Sequence, residues 1–463
     1  MKTTESKAAA AARIGAALGR RKRAELLGLL RPCFARTEPW LQAGKYAAAV
    51  MSDLRRRNGW TIAERAGDRT PDRTQRLLNR AVWDTWAAMG VVRRFAVAGL
   101  DEAARRTGRR RGLAVGAIDE TGQAKAGTRT AGVKRQYLGC AGKVANGINT
   151  VHLTYAREGA GHALIGAREW IPAAQIDDPV TSAVMGLPED LVFRTKGQLA
   201  TGILAEAFAD GVRLDFVCGD EVYGACTELR EYLEDRDQAY VLRVPCNFLL
   251  VVPGRVTLTC QQAAARLGRR GWEVRSAGTG TKGQRSYAWA WLATASARHY
   301  LLIRRHLITG ELAFHYCFLP EGQPATPARP VRAAGLRWPC EEDFEFGKDC
   351  FGLDQSQVRL YDAIARHTVL VMAAVAVCAV TAALLRRRTG TQAPAPVLPD
   401  QPPPAEFGMI PLTVPETGRL LGHPPPPGSA THWLAWRRRH QARSRWYHQR
   451  ARLGRRIEIV LVR

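Results

Sequence analysis

The chain has 463 residues, of which 46% are hydrophobic and 24% charged, and its 68 basic side chains exceed its 42 acidic ones by 26 charges. This composition excludes a disordered or collagen-like chain, which has far less apolar content, and a multi-pass membrane protein, which has far fewer charges. A positive surplus of this size on a globular body is typical of a protein that binds a polyanion, most commonly nucleic acid.

Two features of the sequence indicate the compartment. The N-terminal segment MKTTESKAAAAARIGAALGRRKR is interrupted by arginines and lacks the continuous apolar core of a signal peptide. The ten cysteines include no pair at the CxxC spacing of a zinc knuckle, so we interpret them as reduced thiols of the core and loops. We therefore expect a cytoplasmic protein.

The N-terminal region up to about Arg110 is predicted to be helical, because its apolar residues recur at helical spacing. Within it, residues 61–67 and 71–80 have the patterns of two short, consecutive helices. Such a pair fits a helix-turn-helix that directs Arg73 and Arg76 toward DNA. It fits a plain helical bundle equally well.

From residue 111 to residue 245 the pattern changes to short apolar runs that end in Gly or Asp, with helical stretches between the later ones. This alternation predicts a mixed α/β core. Asp119 follows the run LAVGAI and Asp220 follows LDFVCG, so each is predicted to end a central strand. Two such carboxylates present metal ligands at one edge of a sheet, although an Asp after a strand is more often a turn residue or a helix N-cap.

The segment 246–320 is predicted to be β-rich. Tyr287, Trp289 and Trp291 alternate at the period of a strand, and further short apolar runs follow them. We interpret this segment as a β insertion within the α/β core.

Helical patterns return from residue 338 to residue 385. The stretch 368–385 is nearly free of charge and about long enough to cross a bilayer. It is only weakly apolar and has basic residues at both ends, so we expect a buried helix and no membrane span. Residues 392–427 are rich in proline and predict a stiff, extended linker.

A second group of charged residues lies at the start of this late helical region. On a helix, Glu341 and Lys348 are two turns apart and share one face, and Arg337 lies just upstream. These residue types suit a metal ligand beside phosphate-binding cations. The alternative is a solvated helix start, where acidic residues are common.

An acidic residue also follows each of the three candidate carboxylates, namely Glu120, Glu221 and Glu342. Adjacent residues on a strand point to opposite faces, and adjacent residues on a helix are about 100° apart. We therefore expect these three side chains to be weaker metal-ligand candidates.

The C-terminal tail is strongly basic. It has nine arginines between residues 437 and 456, interleaved with large aromatic residues and without an acidic one. This pattern is typical of a segment that neutralises a phosphate backbone, and a disordered basic tail is the alternative. The candidate DNA contacts here are Arg437, Arg438, Arg439 and Trp446.

In combination, these motifs resemble the DDE transposases of bacterial insertion sequences, in the branch whose last motif is Tyr-x2-Arg-x3-Glu-x6-Lys. Arg337, Glu341 and Lys348 match its last three positions, whereas Ala334 stands at the tyrosine position. The run AIDETGQAKAGTRTAGVKRQYLGCAGKVANG resembles the first motif of these enzymes, and GLDQSQVR also resembles the family. The resemblance extends from about residue 30 to residue 385.

The resemblance implies an RNase H-like catalytic core in which Asp119, Asp220 and Glu341 hold two Mg²⁺ ions, for which Mn²⁺ can substitute. One ion would activate a water or a DNA 3′-hydroxyl, and the other would stabilise the leaving oxygen. The implied layout is a helical DNA-binding or assembly domain (1–110), the first part of the core (111–245), the β-rich insertion (246–320), the C-terminal core helices (321–390), a proline-rich linker (391–428) and a basic, helical, aromatic tail (429–463).

The resemblance also implies the partners and the reaction. Arg337 and Lys348 would contact phosphates near the scissile bond, and Lys125, Lys134 and Arg135 are further candidates for DNA contact. The expected activity is cut-and-paste transposition on double-stranded terminal repeats and target DNA, by a homodimer in a synaptic complex associated with the bacterial nucleoid. The alternatives are an RNase H-like structure-specific nuclease and a domesticated, transposase-derived DNA-binding regulator.

Overall fold

The computed structural model describes residues 4–106, 108, 112–280, 283–422, 435, 438–439 and 441–453. The helices are α1 (Thr4–Leu30), α2 (Thr37–Val50), α3 (Gly59–Arg65), α4 (Asp72–Asn79), α5 (Thr85–Arg106), α6 (Ala173–Asp177), α7 (Pro179–Met185), α8 (Lys196–Ala209), α9 (Glu221–Gly224), α10 (Thr227–Glu234), α11 (Cys260–Ala265), α12 (Ala328–Gly335), α13 (Trp338–Phe351), α14 (Tyr361–Thr389) and α15 (Val414–Gly422). The strands are β1 (Ala114–Ala124), β2 (Lys134–Leu138), β3 (Lys143–Arg157), β4 (Gly161–Glu169), β5 (Phe216–Gly219), β6 (Tyr240–Val244), β7 (Leu249–Val252), β8 (Val256–Thr259), β9 (Glu273–Gly280), β10 (Gly283–Ala293), β11 (His299–Arg305) and β12 (Leu312–Phe318).

The N-terminal region is helical, as predicted, and the two short helices are α3 and α4. Asn58 caps α3 by accepting hydrogen bonds from the backbone of Trp60 and Thr61. Between the helices, Gly67 has a φ of 73°, a left-handed conformation that favours glycine. The apolar side of α4 packs against α2 and α14, so this helix pair is part of a larger helical layer.

The predicted α/β core is present as one large mixed sheet. Its first part has the order β4-β3-β1-β5-β6, in which β3 is antiparallel to both β4 and β1, while β1, β5 and β6 are parallel to one another. The hairpin strand β2 pairs with the first residues of β3. Helix α8 packs on one face of this sheet.

The strands predicted in the segment 246–320 do not form a separate sheet. Strand β12 pairs antiparallel with β6, and β11, β10 and β9 follow in order, so they continue the central sheet. Helix α12 packs on β9 and also contacts β5 and β6. The short pair β7-β8 lies outside this sheet. The domain boundaries implied by the resemblance stay predictions.

Helix α14 contains the nearly charge-free stretch and is buried in the helical layer. By length and composition it could cross a membrane, but 94% of its most apolar window is buried inside the protein. It packs against α1, α2, α5 and β4, and a Cβ atom at Gly99 of α5 would come within 2.5 Å of Val380. This close packing supports the interpretation of a core helix.

The prediction of an extended linker is wrong for residues 414–422, which form α15. Thr413 donates to the Glu416 carboxylate twice, through its backbone N–H at 3.0 Å and through its hydroxyl at 2.9 Å, which fixes the start of the helix. Pro415 lies in the first turn, where its missing N–H is not needed. The sequence TVPE therefore carried a helix-start signal that the proline content obscured. Residues 423–428 of the predicted linker lie outside the described residues.

Candidate active site

Asp119 and Asp220 lie next to each other where two central parallel strands, β1 and β5, stop pairing. The register pairs Ile118 of β1 with Gly219 of β5, and each aspartate is the next residue along its strand. Asp220 also caps α9 by accepting a hydrogen bond from the Val222 backbone at 2.9 Å. The N-cap alternative and the active-site interpretation are therefore compatible at this position.

The expectation that Asp119 ends its strand is wrong. β1 continues to Ala124, because its other edge stays paired with β3, where Asp119 lies opposite His152. Because β5 ends at Gly219, it no longer pairs with β1 at the position of Asp119. The two carboxylates thus lie where the sheet opens between β1 and β5.

Glu341 is linked to the Asp119 carboxylate through Arg337. Glu341 lies in the first turn of α13, and Arg337 is the N-cap residue of that helix. The Arg337 guanidinium donates to Asp119 Oδ2 at 2.7 Å and to Glu341 Oε1 at 3.3 Å. A single cation therefore links the Asp119 carboxylate to the Glu341 carboxylate, although Asp119 and Arg337 are 218 residues apart in the sequence.

The electrostatics of the site favour a bound cation. Burial raises the pKa of Asp119 to about 6, with Arg337 opposing the shift and Asp220 adding to it. Burial also raises the pKa of Asp220, and the charge of Glu120 adds to that shift. Burial lowers the pKa of Arg337, but the carboxylates of Asp119, Asp220 and Glu341 outweigh this effect and raise it. Ionised carboxylates crowded in this way are stabilised by positive charge.

The donor set suits a hard divalent cation, since carboxylate oxygens are the ligands that Mg²⁺ and Mn²⁺ prefer. Among the described residues, no group of three or more His, Cys, Asp or Glu side chains is close enough together to hold a metal ion. Arg337 is the cation between Asp119 and Glu341 in this structure. The three carboxylates therefore fit a metal site chemically, and gathering them around an ion requires Arg337 to give up these contacts.

The acidic residues next to the three carboxylates are engaged elsewhere. Glu120 accepts from Lys196 Nζ at 2.5 Å and from the Tyr223 hydroxyl at 2.7 Å, on the α8 side of the sheet. Glu221 pairs with Arg243 at 3.0 Å. Glu342 pairs with His162 of β4 at 3.1 Å. Each of these three carboxylates therefore has a partner outside the candidate ligand set, and their ranking as weaker ligand candidates stays a prediction.

Two histidines near the site were missed by sequence reasoning. His152 of β3 is buried beside Asp119 in register and packs edge-on against Phe344 of α13, with ring centroids 5.3 Å apart. Burial, with a contribution from the charge of Lys348, lowers the pKa of His152 to about 3. His162 of β4 contacts Glu342 and Asp343. A histidine within the apolar pattern GINTVHLTYA was the available sequence signal for His152.

The remaining predicted DNA contacts near the site differ in exposure. Lys125 is half-buried and donates to the Ser356 carbonyl at 2.7 Å, and burial lowers its pKa to about 8. Lys348 is half-buried near His152. Four of the predicted contacts are exposed on the surface: Arg73, Arg76, Lys134 and Arg135.

The predicted contacts of the tail are used in packing where the structure describes them. Arg438 is buried and donates to the carbonyl groups of Ile410 and Thr389. Trp446 is buried against Phe407, within a helical segment that covers 441–453. Neither side chain is free to contact DNA in this conformation. Arg439 is half-buried, and the prediction for Arg437 falls outside the described residues.

The fold and the carboxylate cluster define a mixed α/β protein with an acidic site at the edge of its central sheet. A family profile described as DDE superfamily endonuclease matches residues 29–300, and the chain belongs to that family. The matched region includes Asp119 and Asp220 and ends before Glu341.

Among solved structures, the chain aligns with a piggyBac transposase synaptic complex with hairpin DNA, determined by cryo-EM. Its TM-score is 0.41 at 10% sequence identity, and the alignment covers 89% of this chain and 76% of that one. No curated protein matches the sequence.

Proposed function

We propose that the protein is a DNA transposase that cleaves element ends and joins them to target DNA, with Asp119, Asp220 and Glu341 as its catalytic carboxylates. The observation that carries this proposal is the position of Asp119 and Asp220 on adjacent parallel strands, with Glu341 linked to Asp119 through Arg337. Membership of the DDE superfamily endonuclease family supports it independently.

The strand order supports an RNase H-like core as part of this proposal. In β4-β3-β1-β5-β6, Asp119 lies within β1 and Asp220 directly follows β5, at the point where these two central parallel strands stop pairing. Side chains at the carboxyl ends of such strands meet at one edge of the sheet, where α/β proteins commonly bind ligands. The proposed origin is a bacterial insertion sequence of the Tyr-Arg-Glu-Lys branch, with Ala334 at the tyrosine position.

The proposed cofactor is Mg²⁺ as two ions, held by Asp119, Asp220 and Glu341, with Mn²⁺ as a substitute. Bound ions of this kind supply an activated oxygen nucleophile and stabilise the leaving oxygen at phosphorus. The protein's own contribution is to hold three carboxylates at one sheet edge and to supply cations for the DNA phosphates. Arg337 would exchange its carboxylate partners for a phosphate, and Lys348 on the same helix would bind another.

The proposed partner is double-stranded DNA, bound as terminal repeats and as target by a homodimer in a synaptic complex. The net charge of +26 supports a polyanionic partner. Exposed Arg73, Arg76, Lys134 and Arg135 are the surface cations that we assign to DNA contact. We propose a cytoplasmic, nucleoid-associated location.

The proposal is tested by cleavage of DNA that flanks the coding sequence, with purified full-length protein and Mg²⁺. Asp119→Ala, Asp220→Ala and Glu341→Ala should each reduce cleavage by more than the roughly 100-fold that loss of a residue supporting a metal ligand costs. DNA binding, measured by gel shift, should stay within a few-fold of the unaltered protein.

Glu221→Ala is the matched control, because Glu221 is adjacent to Asp220 but pairs with Arg243. It should retain most of the cleavage activity. Full cleavage by Asp220→Ala, or its loss in Glu221→Ala alone, would contradict the assignment.

A further inference from the structure

His162 connects the central sheet to the helix that carries Glu341. It lies near the start of β4, and its Nε2 atom is 3.1 Å from the Glu342 carboxylate while its Nδ1 atom is 2.9 Å from the Asp343 carboxylate. The Asp343 side chain is fully buried, and the ring of Phe346 stacks on the imidazole. One side chain of the sheet therefore contacts three residues within the first turns of α13.

The charge of His162 suits this position. Burial disfavours the protonated imidazole, but the carboxylates of Asp343 and Glu342 outweigh burial and raise the pKa of His162 to about 10. A protonated imidazole has two N–H donors, so both ring nitrogens can donate to carboxylates at once. Such charge-assisted hydrogen bonds are stronger and more directional than neutral ones.

The positions of these contacts determine how α13 is rotated. Successive helical residues are about 100° apart around the axis. Glu342 and Asp343 both reach His162, so the histidine lies between their two directions. Glu341, the residue before them, accepts from Arg337, which also donates to Asp119. A rotation that broke the His162 contacts would also move Glu341 away from the strand carboxylates.

A second contact holds the next residue of the helix. Phe344 packs on His152 of β3, which pairs directly with Asp119 of β1. β4, which carries His162, pairs with β3. The helix that carries Glu341 therefore contacts β3 and β4, and β3 pairs with the strand that carries Asp119. Glu341 itself is 43% exposed, so its position depends on how its neighbours pack.

We propose that His162 is a positioning residue that fixes the rotation of α13 and thereby places the Glu341 carboxylate against Asp119 and Asp220. This inference rests on the proposed function, because it assigns Glu341 to the metal site. Residues that orient metal ligands typically change metal affinity 10- to 100-fold when they are replaced.

The first measurement is the affinity of the full-length protein for Mn²⁺. It is obtained from the electron paramagnetic resonance signal of the free Mn²⁺ that remains during a titration. His162→Gln should bind Mn²⁺ about 10-fold more weakly than the unaltered protein. Because this variant leaves the Asp343 carboxylate buried beside a neutral partner, the double variant His162→Gln/Asp343→Asn is included, in which no such charge remains. It should show the same weakening.

The matched control is His299→Gln. His299 of β11 pairs with Glu234 at 3.1 Å and is 14% exposed, close to the 16% of His162, but its contacts lie outside α13. This variant tests whether the loss of any half-buried pair between a histidine and a carboxylate weakens Mn²⁺ binding. The control should bind Mn²⁺ as the unaltered protein does.

The second measurement reports on α13 without a metal. Cys340 is fully buried and directly precedes Glu341, so its reaction with a maleimide requires the start of the helix to move. Peptide mapping by mass spectrometry separates its labelling from that of the exposed Cys140 and Cys246. His162→Gln should label several-fold faster at Cys340, whereas His299→Gln should label at the unaltered rate.

The two measurements separate the inference from the proposed function. If Glu341→Gln weakens Mn²⁺ binding but both His162 variants bind it normally, the inference is overturned and the proposed site stands. If Glu341→Gln binds Mn²⁺ normally, the proposed site fails, and Cys340 labelling alone decides whether His162 holds the helix. Unchanged labelling in both His162 variants would then overturn the inference.

Discussion

Arg337 is the residue at which the two parts of the candidate site meet. Its guanidinium is linked to Asp119 and Glu341, and its pKa is raised by the three carboxylates against the opposing effect of burial. In the metal-free protein, this arginine balances charges that would otherwise repel one another. We therefore expect Arg337 and a divalent cation to compete for the same carboxylates.

Replacing Arg337 tests this competition. Arg337→Gln should lower the free energy of unfolding of the metal-free protein by about 2 kcal/mol, because it removes charge-assisted hydrogen bonds from a largely buried carboxylate. Saturating Mn²⁺ should then raise the melting temperature of this variant more than that of the unaltered protein, since no internal cation has to be displaced. Thermal unfolding with and without Mn²⁺ measures both effects.

Arg329→Gln is the control for this prediction. Arg329 pairs with Asp215 at 2.6 Å from helix α12, one helix before Arg337, so its removal costs an ion pair away from the carboxylate site. The increase in melting temperature that Mn²⁺ causes in Arg329→Gln should equal the increase in the unaltered protein. If Mn²⁺ raises the melting temperature of Arg337→Gln by no more than that of the unaltered protein, Arg337 and the cation do not compete.

The sequence was informative about single residues wherever a local pattern determined the position. That Asp119 and Asp220 are neighbours was predictable because an apolar strand leads to each of them, whereas the assignment of Glu341 as the third carboxylate came from the family resemblance and stays a prediction. The link from Arg337 to Asp119 joins residues far apart in the chain, and no local pattern encodes it. The packing of Arg438 and Trp446 was equally hidden, since basic and aromatic residues suit both DNA contact and a buried tail.

Helix α13 is the element whose placement decides whether the site can form. Its attachment to β4 includes a protonated histidine between two carboxylates. Burial opposes the charge of His162, but its acidic neighbours raise the pKa from 6.5 to about 10. Because the folded-state pKa is the higher one, the stabilisation is complete below about pH 6.5 and is lost as the pH rises through about 10.

This linkage predicts a pH-dependent difference between two proteins. The free energy of unfolding of the unaltered protein should exceed that of His162→Gln most strongly near pH 6, and the difference should shrink toward pH 10. Urea unfolding of both proteins at several pH values measures it. Phe346→Leu is the control, because it removes the ring that stacks on His162 but no charge. The loss in free energy of unfolding that it causes should therefore be nearly the same at every pH. Parallel curves for the unaltered protein and His162→Gln would contradict the linkage.

At the level of elements, the sequence predicted secondary structure better than arrangement. Strand alternation at Tyr287, Trp289 and Trp291 identified β10, but the pairing of β12 with β6 is a long-range contact that alternation does not specify. Helix α15 was obscured by the surrounding prolines, although Thr413 and Glu416 carry a capping signal. The apolar pattern of α14 fitted a core helix and a membrane span alike, and the contacts that bury it could not be read from that pattern.

At the scale of the whole molecule, the proposed function gives the acidic site and the basic surplus separate roles. The chain has a net charge of +26, while the proposed chemistry depends on three of its 42 acidic residues. A strongly positive body would attract DNA of any sequence, and the proposed catalytic carboxylates would determine what happens to the phosphodiester bond. Cleavage alone would suit a nuclease, whereas a transposase must also join the cut end to new DNA.

Strand transfer is therefore the measurement that tests the central claim most directly. Full-length protein, Mg²⁺, a supercoiled plasmid and a duplex that ends in the DNA flanking the coding sequence, with a free 3′-hydroxyl, are combined and the products are sequenced. We predict plasmid molecules joined to the duplex through its 3′ end, and no such product with Glu341→Gln. Nicked or cut DNA without any joined product would contradict the account and identify a hydrolytic nuclease.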